Sequence, residues 1–561
     1  MRRVLSLVVF LTILMASRAS AQQMRGVVHD SAAGAPLAGA VVTALDSAGR
    51  NGARTISGSD GRFAIIIGPS TTRLRVLRIG YRPIDMVLRA DRTTSIGIRM
   101  GHVPPILDVV RVSGSELCPG SPERGAAFQI WEQARAGLLA TIVGREANPA
   151  MATTVKYSTH LAPNSLLVRE QTKTVLTGQT SRPFVASAKP SFFAALGYML
   201  EDGGTRFYNA PDADVLIDES FAATHCFRLR HADSAHPGQV GLAFSPVDGR
   251  DTLVDVDGVI WVDATTPQLR SLEFVYTSLE PAATDAKTGG FVNFRTMSNG
   301  VSFIDRWNLR LASLMPPANG PIHNMHSVTK PRRTDLAELK VRELIDAGGL
   351  VLNASWPDGT RFSTARSFVS GVVVGKGTGT PAVGAIVDLA GTSDTVKTDS
   401  TGHFRIETLP GKYVIEVRDT TLSAYIAPRF QTTPVELREG AEATARLEVT
   451  PIERALGDVC HGQPMPPKSA IVIGYVALTA GELPHDVSVE ANFQHISDAE
   501  FSNVRQTITV DDRGRFFVCG TPKDRNVHLR LKASGVIVAD TSVIVQETEF
   551  IHKVLWLVSR P

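Results

Sequence analysis

Aromatic residues are scarce, at 6% of 561 residues, and there are only four cysteines. Neither charge dominates: 58 Lys+Arg stand against 55 Asp+Glu, a formal net charge of +3. That balance leaves no broad basic field, which excludes non-specific nucleic-acid binding. Beyond the N-terminus no segment offers about 18 uninterrupted apolar residues, so no spanning helix is expected in the mature chain. There is no Cys-x-x-Cys and no compact Cys/His cluster, which argues against a structural zinc site. None of the 14 histidines begins His-x-x-Glu, and His-Glu-x-x-His is absent. The residues that would hold zinc and activate its water in a peptidase are therefore missing. A Gly-x-Ser-x-Gly elbow and a phosphate-cradling Gly-x-x-x-x-Gly-Lys-Ser/Thr loop are missing too. What remains is an ordinary globular composition, 43% hydrophobic and 20% charged. Its length suits about four domains.

The first 21 residues read as a secretory signal. Arg2 and Arg3 form a positive start, Val4 to Ala16 is an apolar run broken only by Ser6 and Thr12, and Ala19-Ser20-Ala21 is a small-x-small cleavage site. Cleavage between Ala21 and Gln22 is expected. The apolar run is too short for a bilayer core that needs about 20 residues. Removing residues 1–21 takes away Arg2, Arg3 and Arg18 and no acid, so the mature chain balances at 55 of each sign. For an exported chain, Cys118, Cys226, Cys460 and Cys519 invite disulfides and allow three pairings. Cys118 and Cys226 fall in one expected domain and Cys460 and Cys519 in another, which favours pairing within domains.

One pattern occurs three times. Gly26-Val27-Val28 is followed by Pro36-Leu37-Ala38-Gly39-Ala40-Val41-Val42 and then by Asp60-Gly61-Arg62-Phe63. Gly371-Val372-Val373 leads to Pro381 and to Thr401-Gly402-His403-Phe404. Gly474-Tyr475-Val476 leads to Pro484 and to Arg513-Gly514-Arg515-Phe516. The first Gly and the Pro are ten residues apart each time, and the Pro-to-Gly distance varies as a connection does. β-Branched runs bounded by Gly and Pro predict strands, and each Gly-x-Phe predicts a tight turn feeding a strand with an inward Phe. About seven short strands per copy predict a small sandwich.

These motifs resemble the carboxypeptidase regulatory-like domain, a transthyretin-like sandwich that accompanies metallocarboxypeptidases and precedes the plug of TonB-dependent receptors. The resemblance covers 24–100 and 368–450 well and 468–558 more loosely. It implies a β-sandwich grouped with carbohydrate-binding-like folds, and no more than a binding role. Leu107-Asp108-Val109-Val110-Arg111-Val112-Ser113-Gly114 is similar to the stretch leading into receptor plugs, but no plug follows. It reads as an edge strand or linker.

Between the first two copies, Ser121-Pro122-Glu123 predicts a helix start, with Phe128, Trp131, Ala134, Leu138 and Leu139 on one face. A second short helix is expected at Ser191–Met199. The rest alternates as antiparallel strands, with Asn299-Gly300 turning a hairpin. Tyr208–Leu216 and His225-Cys226-Phe227 look like motifs of the β-rich domain found beside regulatory-like domains in exported bacterial proteins. By analogy only, its sheet suggests the half-open sheets of periplasmic lipid carriers. His323 and His326 are two ligands where zinc needs more, and Asp255-Val256-Asp257-Gly258 reads as a turn before a strand. Trp356, beside Pro357, is expected to be exposed.

The expected organisation is mainly β: a signal at 1–21, a sandwich at 24–100, a linker at 101–120, a central antiparallel β-rich domain with one or two helices at 121–350, a linker at 351–367, and antiparallel sandwiches at 368–450 and 460–561. The expected role is a non-enzymatic structural or interaction module of the bacterial envelope. It would lie in the periplasm, at the outer-membrane periphery or outside the cell, with no cofactor and with another envelope protein or a glycan as partner. The alternative is a carbohydrate- or lipid-like ligand-binding protein.

Overall fold

The computed structural model describes residues 22–88, 95–103, 118, 126–180, 189–202, 205–266, 268–315, 339–418, 430–432, 434–449, 460, 465–466, 468–478, 486–497, 500–511, 514–547 and 551–558. The chain divides into two units, one ending at Arg366 and one starting at Ser367.

The first unit opens with a sandwich of β1 (Gln22–Asp30), β2 (Val41–Asp46), β3 (Asn51–Ile56), β4 (Arg62–Ile67), β5 (Thr71–Leu77), β6 (Ile84–Val87) and β7 (Ser95–Met100). A three-stranded sheet ordered β4-β1-β7 faces a four-stranded sheet ordered β3-β2-β5-β6. β4 alternates strictly, with Phe63, Ile65 and Ile67 buried and the residues between them exposed, as one solvated face requires. They meet Met24, Val28, Val42, Leu74 and Val76. One pairing departs from the expected antiparallel pattern. β7 runs parallel to β1, because the chain enters and leaves the same sheet in one direction. Gly101 and Val103 still belong to the sandwich, since Arg82 donates to the Gly101 carbonyl and the Val103 amide to that of Gly80. The expected linker therefore begins later than 101.

The central domain holds α1 (Ala126–Ala147), β8 (Met151–Leu161), β9 (Val168–Gln179), α2 (Pro190–Leu196), β10 (Met199–Asp202), β11 (Thr205–Tyr208), α3 (Ala213–Leu216), α4 (Glu219–Thr224), β12 (His225–Arg230), β13 (Gln239–Pro246), β14 (Val256–Asp263), β15 (Leu269–Tyr276), α5 (Pro281–Asp285), β16 (Gly289–Thr296), β17 (Ser302–Met315), β18 (Lys340–Ser355) and β19 (Arg361–Ser363). Ten strands form one sheet in the order β12-β13-β14-β15-β16-β17-β18-β8-β9, with β19 beside β18. Five helices are present among the described residues where one or two were expected. Two of the unexpected ones are single-turn pieces, capped by Asp212 and Asp218, which accept from the amides of Val215 and Ser220. The third, α5, opens at Pro281. They are too short for a 3.6-residue period to show.

α1 is apolar on two faces, not one. Trp131, Ala134, Leu138 and Ile142 join the sheet core. Ala136, Leu139, Ala140 and Val143 pack on Val41 and Leu77 of the sandwich. Gln133 ties the pieces further, its Oε1 accepting from the Gly80 amide at 2.5 Å. Sandwich and central domain thus share a core through α1.

The expected linker at 351–367 is corrected as well. β18 runs through Ser355 and turns back, with Asn353 opposite Ser363 and Ser355 opposite Arg361. Pro357-Asp358-Gly359 is the hairpin turn, Gly359 taking φ +87°. Trp356 is consequently buried, 5% exposed, with its ring 5.1 Å from Phe303.

The second unit contains two further sandwiches of the same plan. Phe368–Gly375 pairs antiparallel with His403–Glu407 and parallel with Glu442–Val449. Ala470–Leu478 pairs antiparallel with Arg515–Thr521 and parallel with Ile551–Val558. Each opposes a four-stranded sheet. The threefold pattern has a single structural reason. Gly26 is in register with Phe63, Gly371 with Phe404 and Gly474 with Phe516; the rings of Phe63 and Phe516 lie where a glycine Cβ would be, and at Gly371 the Ala445 carbonyl fills that place with the Phe404 ring beside it. Gly61, Gly402 and Gly514 take φ of +72°, +78° and +75° at the turn before the Phe, a conformation that favours glycine.

Candidate functional site

A groove lies beside the C-terminal half of α1, on the helix side of the sheet where β17, β18, β8 and β9 extend past it. The cavity measures about 160 Å³. Its floor is Phe303, Trp307, Val351 and Trp356, with Ala152 and Leu176 at the side. Thr141, Arg145 and Asn148 of α1 form one wall, and Thr154 and Lys156 of β8 form another.

Two adjacent glycines place the floor. Gly349 of β18 is opposite Trp307 on one side and Lys156 on the other. The indole of Trp307 occupies the space a Gly349 side chain would take. Gly348 does the same on the reverse face, where Tyr157 crosses it and donates to Asn308 Oδ1 at 3.2 Å. Burial pushes the Tyr157 phenol up to about 12. Gly348-Gly349 inside an alternating strand was a legible sign of close approach. Trp356-Pro357-Asp358-Gly359 between apolar runs was a hairpin signal. Sequence reasoning therefore placed Trp356 in an exposed linker and did not single out Trp307 or Lys156.

Among the described residues the lining carries no carboxylate. Arg145 reaches Asp214 at only 3.5 Å. Lys156 is exposed and has no carboxylate partner among the described residues.

A second, larger space of about 770 Å³ separates the first sandwich from α1 and α4. Arg54, Arg75 and Arg135 line it together with Glu132, Asp214 and Glu219. Arg75 is already held by Asp85 at 2.8 Å. This space is a solvated seam of mixed charge.

The turn at Asp255 is more than a turn. Asp255 is fully buried, with its Oδ1 3.2 Å from His225 Nε2 and its Oδ2 accepting from Arg250. Arg250 also donates to the carbonyl oxygens of Phe193 and Ala194. Burial pushes the Asp255 carboxyl up, but the hydrogen bond and charge of His225, together with Arg250 and the Val256 amide, outweigh it and hold the carboxyl below its ordinary value. With His225 1% exposed and Asp255 0%, the trio ties α2 to the starts of β12 and β14.

The four cysteines form two disulfides, Cys118–Cys226 and Cys460–Cys519. Cys226 is on β12. Cys460 packs with Ile471, Ile473 and Cys519. Gln22 is the first residue of β1, while Ala21, Leu107–Gly114, Ser121–Glu123, His323 and His326 lie outside the described residues. Among the described residues no three His, Cys, Asp or Glu are grouped to hold a metal, and no helix is long and apolar enough to cross a membrane. All five tryptophans are buried, none more than 8% exposed, so none presents a face for a sugar to stack on.

Residues 23–101 match the family model of the carboxypeptidase regulatory-like domain. No curated protein matches the chain. Among solved structures, a streptococcal ancillary pilin is 13% identical and aligns over 41% of this chain and 84% of its own, with a TM-score of 0.16. The TIE protein of Bacillus anthracis is 11% identical, over 64% of each chain, with a TM-score of 0.15. The shaft pilin SpaA of Lactobacillus rhamnosus GG is 9% identical, over 35% of this chain and 99% of its own, with a TM-score of 0.14. At these scores they add nothing to the topology described above.

Proposed function

We propose that this protein is an exported cell-envelope protein that works by holding and presenting rather than by catalysis. The observation that carries this reading is the way the regulatory-like sandwich is built into the central domain. α1 buries one face in each, and Gln133 links them. This makes the sandwich a rigid mount for the large sheet. The signal-like start at 1–21 and two disulfides, which persist in oxidising compartments, support export. The carboxypeptidase regulatory-like domain suggests a non-catalytic protein. The partner favoured is another envelope protein, because the buried tryptophans weaken the glycan alternative.

Expression of the full chain with a C-terminal tag tests this. The expected product begins at Gln22 by mass spectrometry, fractionates with the envelope and carries no free thiol. In-cell crosslinking should join it to a defined envelope protein, and that crosslink should be lost when the sandwich is detached by Leu139→Asp. An unprocessed cytoplasmic chain with four reduced cysteines would overturn the reading.

A further inference from the structure

We infer that the groove between α1 and β8 binds a medium-length single-chain amphiphile with an anionic head, such as a fatty acid. This goes beyond the mounting role and stands without it.

The chemistry is laid out along the strand. At one end the floor is Trp356, Phe303 and Val351, with Ala152 beside them. At the other end, four residues further along β8, is Lys156, level with Gly349 and Trp307. At about 3.3 Å per residue those four residues span about 13 Å, the reach of a medium-length acyl chain. The volume fits: the groove holds about 160 Å³, and an apolar cavity of about 150 Å³ is known to take up benzene. A short chain can fill the floor while the rest of it lies along β8.

The sign of the head follows from charge. Among the described residues, Lys156 and Arg145 are the only charged ones lining the groove, and Arg145, in the last turn of α1, is directed to Asp214. Lys156 is exposed and has no carboxylate partner among the described residues, whereas Arg310 on the same sheet is held by Asp346 at 2.7 Å. The carbonyl end of α1, which disfavours an anion, lies at Asn148 by the apolar end, away from Lys156. The geometry therefore orients the chain, tail under the α1 terminus and carboxylate toward Lys156.

The test is titration of the purified mature chain with hexanoate, octanoate and decanoate below their micellar range. Tryptophan fluorescence is the readout, since Trp307 and Trp356 line the groove. Octanol and octylamine serve as neutral and cationic controls. Saturable octanoate binding is expected, about fivefold tighter than octanol and tighter still than octylamine. Lys156→Gln should lower octanoate affinity to that of octanol and leave octanol unchanged. Ala152→Phe should abolish both, and if that variant does not fold, Thr154→Phe fills the groove from another position. No saturable binding to the folded chain, preference for octylamine, or unchanged octanoate affinity in both Lys156→Gln and the groove-filling variant would each overturn the proposal. None of these results bears on export or on the partner, so the two readings fail separately.

Discussion

At the scale of single residues, the fold depends on places where an aromatic ring occupies the space of an absent side chain. Gly26 under Phe63 recurs as Gly474 under Phe516, and at Gly371 the Ala445 carbonyl joins the Phe404 ring in excluding a side chain. Adding one methyl must push the ring or the strand aside, and forced overpacking costs about 1–3 kcal/mol. Gly26→Ala should therefore lower the unfolding free energy of the first unit by about that much. Phe63→Leu in the same chain should recover part of the loss, and a double-mutant cycle by urea unfolding measures the coupling. Asp255 makes a sharper case. Removing one partner of a buried pair leaves the other uncompensated, a loss of about 3–5 kcal/mol. Asp255→Asn is expected to fall in that range by the same measurement. The pH dependence has a definite sign. The folded-state carboxyl titrates below its ordinary value, so its contribution is fully present above the unfolded value near 4 and is lost as pH falls through the lowered one. Acid unfolding of the wild type should show that loss, and Asp255→Asn should flatten it. An unchanged acid slope would mean that Asp255 does not carry it.

At the scale of elements, what was legible depended on whether the period of a segment had room to show. β4 alternates over six residues and its buried set could be read directly. The Gly-x-Phe turns were legible because glycine at positive φ has few substitutes. α1 was visible as a helix, but its second apolar face was not. Ala136 and Ala140 are small and read as neutral until Val41 and Leu77 are known to lie opposite. The chain from 351 to 363 was misread because Pro, Asp and Gly mark linkers and hairpins alike, and only the pairing of Asn353 with Ser363 decides between them. His225, Arg250 and Asp255 meet across 30 residues of chain with no shared motif, so their trio was not legible at all. The shared face of α1 carries a prediction at this scale. Leu139 is 8% exposed against the first sandwich, and truncating a buried leucine costs about 2–5 kcal/mol. If α1 is a common core, Leu139→Ala should speed hydrogen exchange in β2 and β5 together with α1. Faster exchange in α1 alone would show that the sandwich keeps its own stability.

At the scale of the whole molecule, the same seven-strand plan is fastened in different ways. The first copy is secured by a helix of the neighbouring domain, while the last carries a covalent tie. Cys460 lies ahead of the first strand of the last sandwich, and its disulfide to Cys519 closes a loop with a sequence separation of 59. Cys460 is 2% exposed and covers Ile471 and Ile473 on the outer side of the sheet, so the bridge both shortens the unfolded chain and holds a lid on apolar surface. In the chain-entropy account a loop of that length contributes about 4 kcal/mol. Replacing both cysteines by serine should therefore destabilise this sandwich by about that amount. Loss of the cover over Ile471 and Ile473 adds to it. Hydrogen exchange followed by mass spectrometry on the full chain locates the effect. Protection should fall in Ala470–Leu478, Arg515–Thr521 and Ile551–Val558 and stay unchanged in β12 to β18, whose residues belong to the other unit. The complementary pair, Cys118→Ser with Cys226→Ser, should give the reverse pattern, loosening β12 and β13 and leaving the last sandwich as it was. If either double variant loosened both regions equally, the two disulfides would be securing one cooperative body instead of two.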